Sequence, residues 1–408
     1  MALTGFTRSQ KKMILATALV VAWMWSLPLL GHLQVPVPLF FGIEGTITLT
    51  FLIGSVLGYV FFAQEYFEKF RRAMGVYAPL GVFAALSFLM VNSWLSGPYV
   101  SLLSAGLTLV MGACTAPLFS AWGVSISGVA VEFRGRYVGS MLLTASIISI
   151  LMGFFGRIFP TLSLIAGSGV LLMAFGLLKF SDCLEPASKE VHRKRPDVSF
   201  KDYKWKMALF LLFGIVLLSF YSLSWISHQT MLSPQGDSFA ASVLGPLLYG
   251  VVALAGGAVY DHLDEIEAIG IVGLAILLSA YIMVPVGAEL NLGFLPNLAV
   301  EAGYGVLDLF VFIFLFQAVQ VMGLSFYKCY AYGLAYNAAV VASGYIWGMQ
   351  IAADTAIPLI VSASLVIGVV SSLGLRGIRL MLQSETSDDN PETAEVLPDF
   401  EEGSVQIV

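Results

Sequence analysis

Long apolar stretches of roughly 20 residues recur along this chain, separated by short polar connections. A stretch of this length, wound as an α-helix, crosses the roughly 30 Å of hydrocarbon in a bilayer. A strand of a membrane β-barrel needs only about 10 residues and alternates in polarity. The pattern therefore predicts twelve membrane-spanning helices. We place spans 1 to 12 at residues 13–31, 39–63, 73–94, 98–123, 136–157, 159–180, 206–228, 238–260, 267–287, 295–322, 330–351 and 355–381.

The placement of Lys and Arg supports both the number and the orientation of these spans. With the amino terminus in the cytoplasm, 19 of the 20 basic residues fall on the cytoplasmic side and only Arg157 falls on the outer side. Cytoplasmic connections of membrane proteins carry an excess of Lys and Arg. A missed or added span would move whole clusters to the other face. We therefore expect a multi-pass protein of the cell membrane (the inner or plasma membrane) with both termini in the cytoplasm.

One long polar connection divides the chain into two halves of six spans each. A short motif, S-L-x-x-x-x-H, begins at Ser26 at the end of span 1 and again at Ser222 in span 7, 196 residues later. Parallel repeats of six spans are a known transporter architecture. The predicted organisation is a six-helix bundle at 1–180, a cytoplasmic linker at 181–205, a second bundle at 206–381 and an acidic, disordered tail at 382–408.

Composition agrees with a membrane protein and excludes several other classes. Hydrophobic residues make up 58% of the chain, charged residues 11%, and the mean hydropathy is +0.87. A soluble domain carries about 25% charged residues. The sequence contains no phosphate-binding G-x-x-x-x-G-K-[ST], no HExxH, no C-x-x-C or other cysteine pairing pattern, and no basic tract suited to nucleic acid. We therefore expect no enzymatic activity, metal site, cofactor or nucleic-acid partner, and a monomer in the bilayer.

A few ionisable residues lie inside the predicted spans, where they are costly and mark functional sites by default. Glu301 and Asp308 in span 10 are seven residues apart, so they share one helix face with Tyr304 between them. They can exchange protons or pair with a cationic substrate; the alternative is a structural role, protonated or bonded to a neighbouring helix. Glu44 in span 2 either takes part in gating or coupling, or is a solvated acid in the vestibule of the cavity. Arg157 either snorkels to the outer interface or pairs with Glu44 or an anionic substrate.

Three short motifs resemble those of the major facilitator superfamily, of the bacterial type. After span 4 the run from Glu132 to Gly139, E-F-R-G-R-Y-V-G, matches an acidic-x-Arg-Gly turn that leads to a glycine. Between spans 8 and 9, Gly257 and Asp261 match half of the loop motif G-x-x-x-D-R-x-G-R-K. Its first copy, between spans 2 and 3, keeps Gly58 and a basic cluster with Arg71 and Arg72 but lacks the aspartate. Thr108 stands where proton-driven drug exporters of the family carry an arginine.

The resemblance implies an all-α fold of two pseudo-symmetric six-helix bundles around a cavity that opens alternately to each side. It also implies that the motif residues latch the cytoplasmic helix ends, since carboxylates favour helix N-termini and cations favour C-termini. The latch candidates are Asp261, Glu132, Arg134, Gly135, Gly139, Arg71 and Arg72.

In the resembled family, spans 1, 4, 7, 10 and 11 line the cavity, and several aromatic residues of this chain lie on them. Their rings can bind a cation or an amphipathic solute, or they form belts against lipid. Asn337, deep in span 11, is a further candidate because an unpaired amide in hydrocarbon is costly. The added candidates for the substrate site are Trp25, Tyr221, Trp225, Tyr336 and Asn337.

The sequence therefore favours a secondary active transporter that moves a small organic solute by alternating access, coupled to protons or another ion. Because acids outnumber the single base inside the spans, we expect a neutral, cationic or amphipathic solute. Two alternatives stay open. One is a membrane sensor that binds a ligand in the same cavity and signals on its cytoplasmic side. The other is a flippase for a lipid or lipophile.

Overall fold

The structure is a computed structural model of the 408-residue chain. It describes residues 5–26, 42–63, 67–95, 99–126, 129–158, 169–174, 176–177, 208, 211–216, 239–263, 265–289, 294–322, 326–352, 366, 368–378 and 380. Within these ranges the chain is helical and contains no strand. The long helices are α1 (Arg8–Ser26), α2 (Gly42–Ala63), α3 (Phe67–Trp94), α4 (Tyr99–Ile126), α5 (Arg134–Ile158), α6 (Phe239–Leu263), α7 (Ile266–Glu289), α8 (Phe294–Met322) and α9 (Phe326–Ala352).

These helices coincide with nine of the predicted spans. Helices α1 to α5 correspond to spans 1 to 5, and α6 to α9 to spans 8 to 11. Spans 6, 7 and 12 are represented by the helical pieces 169–174, 211–216 and Gly368–Ile378. The all-helical class is thus confirmed for the described residues, whereas the count of twelve stays a prediction.

Some helices begin several residues before the apolar stretches from which they were predicted. Helix α1 begins at Arg8 and α3 at Phe67, whereas the apolar runs begin at residues 13 and 73. A helix satisfies its backbone hydrogen bonds equally well in the headgroup region, so nothing ends it at the edge of the hydrocarbon. Four described helices contain apolar segments long enough to cross a bilayer: Tyr99–Ser120, Arg134–Phe155, Val243–Leu263 and Leu295–Gln317.

Helix α3 shows how these helices face lipid. Its exposed side chains, Val76, Leu80, Phe83, Met90 and Trp94, are large, apolar and spaced at helical intervals, with Phe83 exposed to 67%. Its opposite face, including Ala78 and Phe88, is buried. A continuous apolar stripe is covered by hydrocarbon in a membrane protein. The chain is therefore a multi-pass membrane protein.

Two pairs of parallel helices are in close backbone contact at corresponding positions. In the first pair, Gly54 and Gly58 of α2 lie against the backbones of Leu109 and Ala113 in α4, where a Cβ atom would have no room. In the second pair, Gly305 of α8 lies against the backbone of Tyr249 in α6. Tyr249 and Gly305 follow Gly54 and Leu109 by 195 and 196 residues, almost the spacing of the sequence motif. One local packing arrangement therefore occurs twice.

Helices α5 and α6 pack closely and run antiparallel. Gly135 meets Gly257 near one end, and Gly250 lies against Leu143 further along. Helix α5 also packs against α1, and α9 packs against α2. Small residues allow such close approach of membrane helices. As a result, the beginning of α5 and the end of α6 lie on the same side of the molecule, which is the predicted cytoplasmic side.

Helix α8 is the most enclosed of the long helices. All eight residues of the segment 309–316 are buried, and the helix contacts α4, α5, α6, α7 and α9. Residues on α8 are therefore fixed by packing from several sides, which suits a helix that carries polar groups into the membrane.

Candidate functional site

The two predicted acids lie on α8, at the depth expected for a site inside the membrane. Asp308 is 14 residues from either end of the helix, at its midpoint, and Glu301 lies about 10 Å nearer its start. Both are partly buried, as is Tyr304 between them. The Glu301 side chain lies beside Gly245 of α6, where an added Cβ would be 3.2 Å from the Glu301 Cγ. Helix α6 thus forms one wall beside the acids.

Tyr249 of α6 holds Asp308 directly. Its hydroxyl donates a hydrogen bond to the Asp308 Oδ2 at 2.5 Å, and the residue is only 4% exposed. The Tyr249 ring meets the Trp25 ring edge to face, with centroids 4.9 Å apart. The structure therefore joins α1, α6 and α8 through one ring contact and one hydrogen bond.

Tyr249 was not among the sequence candidates because span 8 does not line the cavity in the resembled family. The signal that could have identified Tyr249 was its depth in its helix, which matches the depth of Asp308. Tyr249 and Asp308 each lie 14 residues before the end of their helix, and α6 and α8 run parallel. The predicted span ends, at residues 260 and 322, placed them at different depths.

Two further candidates lie on α9, and one of them, Tyr336, contacts span 7. The Tyr336 ring lies against Gly214 in the piece 211–216. The Oδ1 of Asn337 is buried and has no hydrogen-bond partner within the described part of the chain. An unpaired amide oxygen at this depth is costly, so Asn337 keeps its place as a polar candidate.

Thr108, at the position of the exporters' arginine, is a structural residue here. Its hydroxyl is buried, lies 2.6 Å from the hydroxyl of Thr50 on α2, and donates to the carbonyl of Ser104 at 3.1 Å. Thr108 therefore ties α2 to α4 within the amino-terminal half.

Several predicted site residues have side chains outside the described part of the chain. Glu44 lies on α2, Arg71 and Arg72 on α3, and Arg157 on α5, but only their helical backbone is described. Tyr221 and Trp225 lie outside the described residues altogether. Their roles stay predictions.

Asp261, at the end of α6, caps the start of α5. Its Oδ1 accepts from the Gly135 amide at 2.6 Å, and its Oδ2 accepts from the Arg136 amide at 3.0 Å and from the Arg136 Nε at 2.8 Å. The first amides of a helix have no partner within that helix, and the positive end of the helix dipole attracts a carboxylate. The Asp261 side chain is 2% exposed and that of Arg136 is 42% exposed. In this ion pair the Asp261 carboxylate is therefore shielded from solvent, whereas the Arg136 side chain is partly exposed.

The other latch candidates surround this cap in different ways. Arg134 donates from Nε to the Val129 carbonyl at 3.0 Å and lies over the Phe316 ring of α8, 3.7 Å from its centroid. Glu132 takes part through its carbonyl, which accepts from the Arg136 Nη2 at 3.0 Å. Gly139 lies against the α6 backbone at Ala253 and Leu254. Arg136, absent from the sequence candidates although it belongs to the quoted motif, is the arginine that pairs with Asp261.

Aromatic residues close the same side between α4, α8 and α9. Phe119 of α4 meets Phe312 of α8 edge to face, with ring centroids 5.5 Å apart. Tyr330 of α9 donates to the Phe312 carbonyl at 3.0 Å, and its ring lies against Gly123 of α4. With the Arg134–Phe316 contact, these rings fill the space between helices of the two predicted bundles on the side where α5 begins.

Comparison with known proteins supports the fold. No family model and no curated protein matches the sequence. Among solved structures, a bacterial homologue of the iron transporter ferroportin, in its outward-facing state, aligns with a TM-score of 0.61 over 93% of this chain and 100% of that one, at 14% identity. At this identity the likeness concerns the fold alone. The chain thus shares the overall fold of that transporter structure over most of its length.

Proposed function

We propose that this protein is a secondary active transporter that moves a small organic solute by alternating access, with protons as the coupling ion. The observation that carries this proposal is a carboxylate, Asp308, at the midpoint of an enclosed membrane helix, held by the Tyr249 hydroxyl with Glu301 on the same face. An acid at that depth costs about 2.5–3.5 kcal/mol on insertion scales. Such a cost is typical of groups retained for function.

The distribution of basic residues favours protons or a cation as the partner of these acids. Every Lys and Arg in the sequence lies outside the predicted spans or near an end of one. None is placed by sequence at the depth of Asp308. Proton uptake is a direct way to neutralise a carboxylate there, and a cationic or polar solute can exchange with that proton. The solute class we propose is therefore neutral, cationic or amphipathic.

Alternating access requires two bundles that move against each other, and the packing supports this division. The close α2–α4 and α6–α8 backbone contacts recur at positions about 195 residues apart. Contacts between the proposed bundles include the Asp261–Arg136 cap and the Phe119–Phe312 pair. We propose that these contacts close the cytoplasmic side in this state and separate when that side opens.

The solved neighbour is named for iron, so a metal ion belongs in the tests. Among the described residues, no group of three or more His, Cys, Asp and Glu side chains lies close enough together to hold a metal. The acids described here are accompanied by phenol and indole groups. These rings suit an organic solute better than a bare divalent ion.

The proposal is tested with purified protein in vesicles that carry an imposed pH gradient. A thermal-shift screen of organic cations, neutral metabolites and divalent metals first identifies a ligand, because a ligand of the native state raises apparent stability. Gradient-driven flux of that ligand is then compared with Asp308→Asn and Glu301→Gln. We expect at least a tenfold loss of gradient-driven flux in Asp308→Asn, since its amide cannot carry the coupled proton.

Glu289→Gln is the matched control, because it neutralises an exposed acid at the end of α7. Its flux should equal that of the unchanged protein. Full gradient-driven flux in both Asp308→Asn and Glu301→Gln would refute proton coupling through these acids.

A further inference from the structure

We infer that Tyr249 is a positioning residue that sets the pH at which Asp308 exchanges its proton, and that Trp25 of the opposite bundle holds Tyr249 in place. The inference rests on the proposed function, because it assigns a role to Tyr249 within the same proton site. The inference goes beyond the proposed function because it names the group that controls Asp308 and the contact that links this control to the movement of the bundles.

The Tyr249 hydroxyl is aimed at Asp308 by packing on two sides. Its backbone is in close contact with Gly305 of α8, at a position where a Cβ atom would have no room. Its ring is buried and meets Trp25, which lies on α1. A buried phenol with a fixed backbone and a fixed ring has little freedom to turn away, so the hydrogen bond to Asp308 is pre-organised.

This hydrogen bond favours one protonation state of Asp308. A phenol that donates to a carboxylate forms a charge-assisted bond, which is stronger than a bond to the neutral acid. Tyr249 is therefore a donor that stabilises the ionised form of Asp308, and Tyr249→Phe removes that donor.

The charged and titratable groups around Asp308 are few within the described residues. Glu301 and Tyr304 face it from its own helix, and Tyr249 faces it from α6. On the other helices packed against α8, the described groups lie near the helix ends or on other faces: Tyr99 and Cys114 of α4, Arg134, Arg136 and Tyr137 of α5, Glu267 and Glu289 of α7, and Tyr330, Tyr332 and Tyr336 of α9.

Trp25 connects the Tyr249–Asp308 hydrogen bond to the arrangement of the bundles. It belongs to the proposed amino-terminal bundle, whereas Tyr249 and Asp308 belong to the carboxy-terminal one. Movement of α1 away from α6 removes the ring contact, frees the Tyr249 side chain and weakens its hold on Asp308. Proton affinity therefore changes with the state of the transporter, as coupling requires.

The test uses protons as the probe and needs no solute. In the purified full chain, an infrared pH titration follows the band of protonated carboxyl groups, and its loss in Asp308→Asn identifies the Asp308 signal. We expect Tyr249→Phe, which keeps the ring, to move the midpoint of that signal about one pH unit higher, equivalent to roughly tenfold tighter proton binding. An unchanged midpoint would overturn the inference.

Tyr260→Phe is the matched control, because it removes another phenol hydroxyl from α6, one that accepts from Gln317 at 3.1 Å. Its midpoint should not move. Trp25→Phe is a second, independent variant that leaves the α6–α8 interface intact, so the test survives if Tyr249→Phe fails to fold. We expect Trp25→Phe to move the midpoint in the same direction, and to add nothing in the Tyr249→Phe background. An additive shift would refute the link through Tyr249.

The two failures are distinguishable. If Asp308→Asn removes no titrating band, the proposed proton site itself is wrong. If the band is present but insensitive to Tyr249 and Trp25, only the positioning role is wrong.

Discussion

At the residue scale, the Asp261 cap is the contact whose removal has the clearest consequence. Asp261→Asn removes the charge that accepts from two amides and one guanidinium, and an amide nitrogen of the new side chain faces donors. Hydrogen bonds to charged groups contribute about 1.5–3 kcal/mol, so we expect this side to open more often. A cysteine introduced at the buried Ser125 of α4, with native cysteines replaced, should be alkylated several-fold faster in Asp261→Asn than in the protein with Asp261.

Glu132→Gln should leave that rate unchanged, because Glu132 contributes its carbonyl and its side chain is exposed. Equal rates in Asp261→Asn and the unchanged protein would exclude a latch.

Residue types and spacing predicted part of this site. An acid in an apolar helix is visible in any sequence, so Asp308 and Glu301 could be chosen, and the motif residues pointed to Asp261 and Gly135. The sequence candidates included Arg134 and omitted Arg136, the arginine that pairs with Asp261. Both lie in one helical turn, and only the rotation of α5 against α6 decides which of them faces Asp261. Tyr249 was hidden for a similar reason, since its depth depends on where α6 ends.

At the element scale, the close contact of α5 and α6 depends on glycine. A Cβ at Gly257 would overlap the carbonyl of Gly135, so the two backbones must separate in Gly257→Ala. Overpacking of this kind costs about 1–3 kcal/mol, and it also pulls Asp261 away from the amides it caps. We expect a lower midpoint of thermal unfolding, measured in detergent by intrinsic fluorescence.

Gly153→Ala on α5 is the matched control, because its Cβ would meet no described residue within 4 Å. That variant should be neutral or slightly stabilised, since alanine favours helix. Equal midpoints for both variants would show that the close contact contributes little.

Hydropathy located the helices but not their partners or their ends. The apolar runs identified nine helices of the described chain, because length alone distinguishes a membrane helix. Small residues are typical of close helix packing, yet Gly153 of α5 has no described residue within 4 Å of its Cβ position, whereas Gly257 of α6 meets Gly135. Which glycine lies at an interface depends on helix rotation, and a helix that is apolar all round carries little signal of its rotation.

At the scale of the whole molecule, the decisive question is whether two bundles move as units. The sequence suggested two halves from one polar connection and one short repeat. The close contacts of α2 with α4 and of α6 with α8 support that division, because they recur at positions about 195 residues apart. If the bundles are units, a covalent link within one bundle should be harmless, and a link between the two on the closed side should stop transport.

Two cysteine pairs test this directly in protein whose native cysteines are replaced. Phe119→Cys with Phe312→Cys joins α4 to α8 across the proposed bundles, where the two rings now touch. Thr50→Cys with Thr108→Cys joins α2 to α4 inside one bundle, where the two hydroxyls are 2.6 Å apart. With a short bifunctional thiol reagent, we expect the first pair to lose flux of the ligand found in the thermal-shift screen, and to regain it on reduction. The second pair should keep its flux after an equally complete reaction, because its two positions do not separate when the bundles move. Transport that persists while the first pair of introduced thiols is joined would mean that this side need not open, and movement of two rigid bundles would have to be abandoned.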